Sequence, residues 1–125
     1  MTEKEILKKI KSCCEQVFTE FNVNIGVEEN EDSDAFFRDG YFVINLFDDQ
    51  LCYTPYKAED FDMIKCKYGN YELDIDPYVV IYLKNGDRLY YYDWEVAYNQ
   101  KSRWLLNCYK KFCLKDEELC EYFSK

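Results

Sequence analysis

Apolar residues recur at Leu7, Ile10, Cys14, Val17 and Phe21, a three- and four-residue spacing that puts them on one face of an α-helix. Thr2 stands at the N-cap position, and Glu5, three residues on, completes a capping box. Around Phe21 the period drops to two. Phe21, Val23, Ile25 and Val27 alternate with Asn22, Asn24, Gly26 and Glu28, which predicts a half-buried strand. Residues 28–35 are rich in acids and hold no large hydrophobe, so they read as a loop. Residues 41–47 form the next predicted strand, bounded by Asp39-Gly40 and Asp48-Asp49; residues 51–54 return as a short strand before Pro55. The pattern over residues 56–63 fits a helical turn and a loop equally well.

Two hairpins are expected next. A two-residue Gly69-Asn70 loop sets Cys66 against Leu73 and Ile64 against Ile75 on one face, with Lys67 opposite Glu72 and Lys65 opposite Asp74 on the other. Residues 79–83 and 88–92 flank Lys84-Asn85-Gly86-Asp87, where Asn-Gly is a strong hairpin signal, and this register puts Leu83 opposite Arg88. Both faces of the second hairpin are apolar, which predicts a central place in the sheet. Asp93 is positioned to cap a closing helix with the stripe Trp104, Leu105, Cys108, Tyr109 and Phe112, and Asp116 restarts a short terminal helix. The expectation is one α+β domain over residues 1–125. It comprises an N-terminal helix, an antiparallel meander sheet of about six or seven strands, and C-terminal helices packed on one face.

Charge changes this picture more than composition does. The net charge is −9, from 16 basic and 25 acidic residues. Residues 28–62 contain eleven of the acids (Glu28, Glu29, Glu31, Asp32, Asp34, Asp39, Asp48, Asp49, Glu59, Asp60 and Asp62) but only two bases, Arg38 and Lys57. The remainder is neutral, so the whole excess lies in one contiguous stretch, a distribution that speaks to partners rather than fold. Seven cysteines, an odd count, on a chain whose start lacks the apolar stretch of a secretory signal predict free thiols in a reducing, cytoplasmic setting. The longest uncharged apolar run, residues 78–83, is too short to span a bilayer.

The residue types also bear on chemistry. No histidine is present, which removes Ser–His and Cys–His pairs, imidazole acid–base catalysis and most zinc or iron sites. The four glycines, Gly26, Gly40, Gly69 and Gly86, are dispersed, so no Gly-rich phosphate loop exists. Cys108, Cys113 and Cys120 match no zinc spacing. Asn30-Glu31-Asp32-Ser33-Asp34 alternates oxygens as a calcium loop does but lacks its glycine and closing glutamate. Neither a metal nor a cofactor is expected, nor direct nucleic-acid binding by a chain with a pI near 4.5.

The reading that remains is a non-enzymatic, stoichiometric inhibitor whose acidic face meets a basic, nucleic-acid-handling protein. Toxin-immunity proteins and phage anti-defence proteins that mimic nucleic acid are the analogous classes. The expected interface is the acids named above, with Tyr53 and Tyr56 as aromatic anchors. Two other readings compete with it. One is a nucleotide or small-ligand sensor with a pocket lined by Tyr90, Tyr92 and Trp94; the other is a carboxylate-dependent hydrolase.

Overall fold

A computed structural model describes residues 1–18, 25–26, 33–46, 50–93, 96–97 and 102–106. Helix α1 (Glu3–Val17) opens on the expected capping box: the Thr2 hydroxyl accepts from the Glu5 N–H at 3.2 Å and donates to the Glu5 carboxylate at 3.0 Å. Its buried stripe is Ile6, Ile10, Cys13, Cys14 and Val17, rotated slightly from the predicted one, with Leu7 only partly covered. The chain turns extended at Phe18, whose N–H closes on the Cys14 carbonyl at 3.0 Å. Of the strand predicted over residues 21–27, only Ile25 and Gly26 fall within the described residues, and Ile25 makes a parallel bridge to Ala35.

The strands divide between two antiparallel sheets, and this corrects the single meander sheet of six or seven strands. The first has the order β1-β2-β3, built from β1 (Ala35–Arg38), β2 (Tyr41–Leu46) and β3 (Gln50–Lys57). The second has the order β4-β5-β6-β7, from β4 (Phe61–Lys67), β5 (Tyr78–Leu83), β6 (Arg88–Tyr92) and β7 (Trp104–Leu106). Strand β1 was not expected from the sequence and meets the predicted loop over residues 28–35 only at Ala35. Its hairpin to β2 turns on Asp39 and Gly40, both at positive φ (53° and 84°), the geometry that favours Asp-Gly in two-residue turns. Strand β3 runs past Pro55 because Pro55 sits in a bulge. Tyr41 pairs with Lys57 and Val43 with Tyr53, and the Thr54 hydroxyl donates to the Phe42 carbonyl at 2.6 Å across the irregularity. The undecided stretch 56–63 resolves into the end of β3, a 3-10 turn (Ala58–Asp60) and the start of β4.

Neither expected hairpin register survives. Strand β4 pairs with β5, not with residues 71–75: Lys67 faces Tyr78, Lys65 faces Val80 and Ile64 faces Ile81. The charge pairs that favoured the tight loop are worth about 0.2–1 kcal/mol each. Burying Ile64, Val79 and Ile81 together stabilises by about 1.5–3 kcal/mol per side chain, and burial wins. In the second hairpin Arg88 faces Tyr82 rather than Leu83, a one-residue shift. That register gathers Val79, Ile81, Leu89 and Tyr91, all fully buried, on one face. The hairpin is nonetheless central in its sheet, as its apolar faces predicted.

At the C-terminal end, Trp104 and Leu105 belong to β7, pairing with Tyr91 and Tyr90, and not to a helical stripe. A three-residue segment can complete the sheet because Trp104 on its inner face fills the space between the sheets. Asp93 does cap a helical turn, its carboxylate accepting from the Val96 N–H at 3.0 Å. The rest of the predicted stripe, Cys108, Tyr109 and Phe112, and the restart at Asp116 lie outside the described residues.

Helix α1 packs on β4 and β5 and touches β1. Between the sheets, Phe42 meets Phe61 (5.2 Å between centroids) and Trp104 (6.0 Å) edge to face, and Trp104 meets Tyr91 at 4.7 Å. Cys13, Cys14 and Cys66 are free thiols, and burial pushes Cys13 up to about 12. Cys52, buried on β3, is disulfide-bonded, with its partner outside the described residues; this corrects the expectation of seven free thiols. An odd count leaves one cysteine over but does not forbid a pair. Among the described residues no helix is long and apolar enough to cross a membrane.

Replacing Phe42 with alanine removes ring contacts to both sheets at once and lowers unfolding free energy by about 3–5 kcal/mol in denaturant titration. A loss below about 1 kcal/mol would show that the sheets do not depend on this ring. Alkylating the denatured, unreduced protein leaves at most five titratable thiols of seven.

Candidate functional site

The described acids of the stretch do not all face solvent. Glu28, Glu29, Glu31, Asp32, Asp48 and Asp49 lie outside the described residues. Asp39, in the β1–β2 turn, and Glu59 and Asp62, either side of the start of β4, are exposed. Because Tyr41 pairs with Lys57, the Asp39 turn and the 3-10 turn carrying Glu59 sit at the same end of the first sheet. The half-buried Asp60 turns inward, its carboxylate accepting from the Lys57 N–H at 2.8 Å.

Asp34 and Tyr56, expected at the interface, are engaged inside the domain. Asp34 clasps the two sheets. Its carbonyl accepts from the Asn45 N–H at 2.9 Å and from the Trp104 ring N–H at 3.3 Å, and its carboxylate takes Arg103 at 3.1 Å. The same Arg103 Nη1 donates to the Tyr91 hydroxyl at 2.9 Å, and burial drives that hydroxyl far above its ordinary pKa. Both side chains of the ion pair are largely covered (12% and 17% exposed), so this pair is structural. Tyr56 is 3% exposed and donates its hydroxyl to Asp87, which ties β3 to the β5–β6 loop. The calcium pattern loses its fifth position, Asp34, to Arg103.

Tyr53 is 45% exposed, as an anchor must be. Its hydroxyl accepts from Arg38 at 2.6 Å, and Arg38 lies over the rings of both Phe36 and Tyr53. Tyr41 shares this outer face with Lys57, whose ammonium sits 5.2 Å from the ring centroid. The only two bases of the acidic stretch therefore cover tyrosines, and its described exposed acids project from turns and from β4.

A second surface went unseen in the sequence because its hydrophobes had been assigned to a hairpin face. Residues 68–77 join β4 to β5 through a 3-10 turn (Tyr71–Leu73) that the Asn70 side chain caps, accepting from the Glu72 and Leu73 N–H groups at 3.0 and 3.3 Å. Gly69 is required, since a Cβ there would strike the Ile75 carbonyl and Pro77. The turn holds Tyr71 98% exposed, Tyr68 68%, Leu73 67% and Ile75 49%. Glu72, Asp74 and Asp76 alternate with them, and the segment contains no base. Behind it lies a cavity of about 300 Å³ lined by Tyr68, Tyr71, Asp74, Asp76 and Asp93. The visible signal was the sequence itself: alternating acids and large hydrophobes between two glycine- and proline-containing turns.

Of the pocket expected around Tyr90, Tyr92 and Trp94, the first two lie half-buried on β6, on the face opposite the buried Leu89 and Tyr91, and Trp94 is outside the described residues. Among the described residues no group of three or more histidine, cysteine or acidic side chains is arranged to hold a metal ion. No protein family, curated protein or solved structure shows significant similarity to this chain.

Asp34→Ala takes a carboxylate from the largely covered Arg103 and lowers stability by about 3–5 kcal/mol, whereas Glu59→Lys leaves the thermal midpoint unchanged. Equal midpoint shifts in calorimetry would contradict the division between structural and surface acids.

Proposed function

We propose that the protein is a non-enzymatic, stoichiometric inhibitor that binds a basic, nucleic-acid-handling protein, in the manner of toxin-immunity or phage anti-defence proteins that mimic nucleic acid. The observation that carries this reading is the segment 68–77, where large hydrophobic side chains stand in solvent between three acids. Monomeric surfaces rarely leave Tyr, Leu and Ile contiguous and exposed, and such patches mark interaction sites. Aromatic anchors supply affinity, and the carboxylates around them select a positively charged partner and speed its approach. The segregated acids of residues 28–62 add to the same field, with Asp39, Glu59 and Asp62 as its exposed described members and Tyr53 as an exposed ring beside them.

A cytoplasmic location agrees with the free thiols Cys13, Cys14 and Cys66, while the Cys52 bridge pulls toward an oxidising one. The hydrolase reading has one supporting observation, the three aspartates lining the cavity behind residues 68–77. An inhibitor is distinguished from it by stoichiometry.

Affinity capture from the native host, with wild type and the exposed-site variant Tyr71→Ala side by side, tests the proposal. Wild type retains a basic nucleic-acid-handling protein and abolishes its activity at one equivalent. Tyr71→Ala weakens the complex tenfold or more, and raising salt slows association. Recovery of no basic protein that depends on Tyr71, or inhibition at well below one equivalent, overturns it.

A further inference from the structure

The cavity behind residues 68–77 has two kinds of wall. Val17 at the end of α1 and Ile75 give it apolar sides, and Tyr68 and Tyr71 join them. Asp74, Asp76 and Asp93 supply its charge, and none of the described residues that line it is basic. Asp93 commits one carboxylate oxygen to the Val96 N–H at 3.0 Å. Asp74 and Asp76 are exposed, and among the described residues their carboxylates enter no hydrogen bond or ion pair. Tyr71 lines the cavity while standing 98% exposed, which puts its ring at the rim.

Each feature narrows what fits. At about 300 Å³ the cavity lies at the lower edge of small-ligand pockets, with room for one side chain rather than a nucleotide. Carboxylates repel an anion, and they lose hydration without compensation beneath a neutral apolar group. A bare divalent cation takes oxygen ligands on every side, and walls such as Val17 and Ile75 supply none. What remains is a cation carried on an apolar stem, and of the two such side chains arginine is the better match. Its guanidinium is planar, stacks on tyrosine rings, pairs with carboxylates through two parallel bonds and is more weakly hydrated than an ammonium.

We infer that this cavity receives the guanidinium of one arginine side chain of the basic partner, stacked on Tyr68 and Tyr71 and paired with Asp74 and Asp76. The inference rests on the inhibitor reading for the source of that arginine, whereas the fit is a property of the cavity itself. It replaces a diffuse attraction between charged surfaces with one directional contact. Aromatic rings and arginine are the residues that most often dominate the binding energy of an interface.

The test is an NMR titration of the full, isotope-labelled chain with an acetylated Gly-Arg-Gly amide peptide. Peptides with citrulline or lysine in the central place, and free spermidine, are titrated alongside. The arginine peptide gives saturable shifts at the Asp74, Asp76 and Val96 amides and at the Tyr68 and Tyr71 rings. Citrulline keeps the plane but loses the charge, and its peptide binds about tenfold more weakly. The lysine peptide and spermidine also bind more weakly than arginine. The double variant Asp74→Asn and Asp76→Asn loses about tenfold in affinity while its thermal midpoint stays unchanged. Asparagine tolerates the positive φ (54°) of position 74. Absence of saturable shifts at the cavity overturns the inference. So does equal binding of the citrulline peptide, the lysine peptide or spermidine, or full affinity in the double variant. Because the peptide needs no partner, the two readings fail separately. Specific peptide binding without capture of a basic protein from the host removes the inhibitor reading and leaves the cavity's preference for arginine standing. Capture of such a protein by a chain that ignores the peptide removes this inference alone.

Discussion

Two short sheets become one core through the ring of Phe42. It reaches from β2 to Phe61 on β4 and to Trp104 on β7, in edge-to-face contacts that add to the area the rings bury. Trp104 extends the contact to Tyr91, and Tyr91 to Phe18 at the end of α1. The Asp34–Arg103–Tyr91 cluster closes the same seam with polar bonds, Arg103 Nη1 donating to both the Asp34 carboxylate and the Tyr91 hydroxyl. Such a cluster fixes how the sheets meet, because breaking any one bond strands a buried charge or hydroxyl.

Much of the architecture was legible along the chain, for reasons that vary by element. The capping box of α1 is local chemistry, so Thr2 and Glu5 found each other as expected. The strands over β2, β5 and β6 announce themselves by apolar content, and the central place of β5 and β6 follows from having two apolar faces. Pairing was less legible because it is a competition between distant segments. Lys67 and Glu72 looked well matched, yet their attraction is small beside the burial that β5 offers Ile64. The one-residue shift at Arg88 has the same origin: the observed register collects Val79, Ile81, Leu89 and Tyr91 on a single face.

The site was less visible than the fold. Counting acids identified a charged stretch but could not say which were committed internally, and Asp34 looks like any other aspartate until Arg103 arrives from far along the chain. Tyr53 and Tyr56, three residues apart, end in opposite environments because an odd separation along a strand puts side chains on opposite faces. Net charge misled in a second way. It averages an acidic, aromatic turn at residues 68–77 with strands that carry Lys65, Lys67 and Arg88 among tyrosines.

The account therefore rests on which tyrosines face water. Attenuation of individually assigned tyrosine ring signals by a neutral paramagnetic solvent probe reads this directly. Tyr71 and Tyr68 are bleached first, Tyr78, Tyr82, Tyr90 and Tyr92 follow at intermediate strength, and Tyr56 and Tyr91 are protected. Attenuation of Tyr91 equal to that of Tyr90 would mean that the register of β5 and β6 is wrong, and with it the division of their side chains between a buried and a half-buried face.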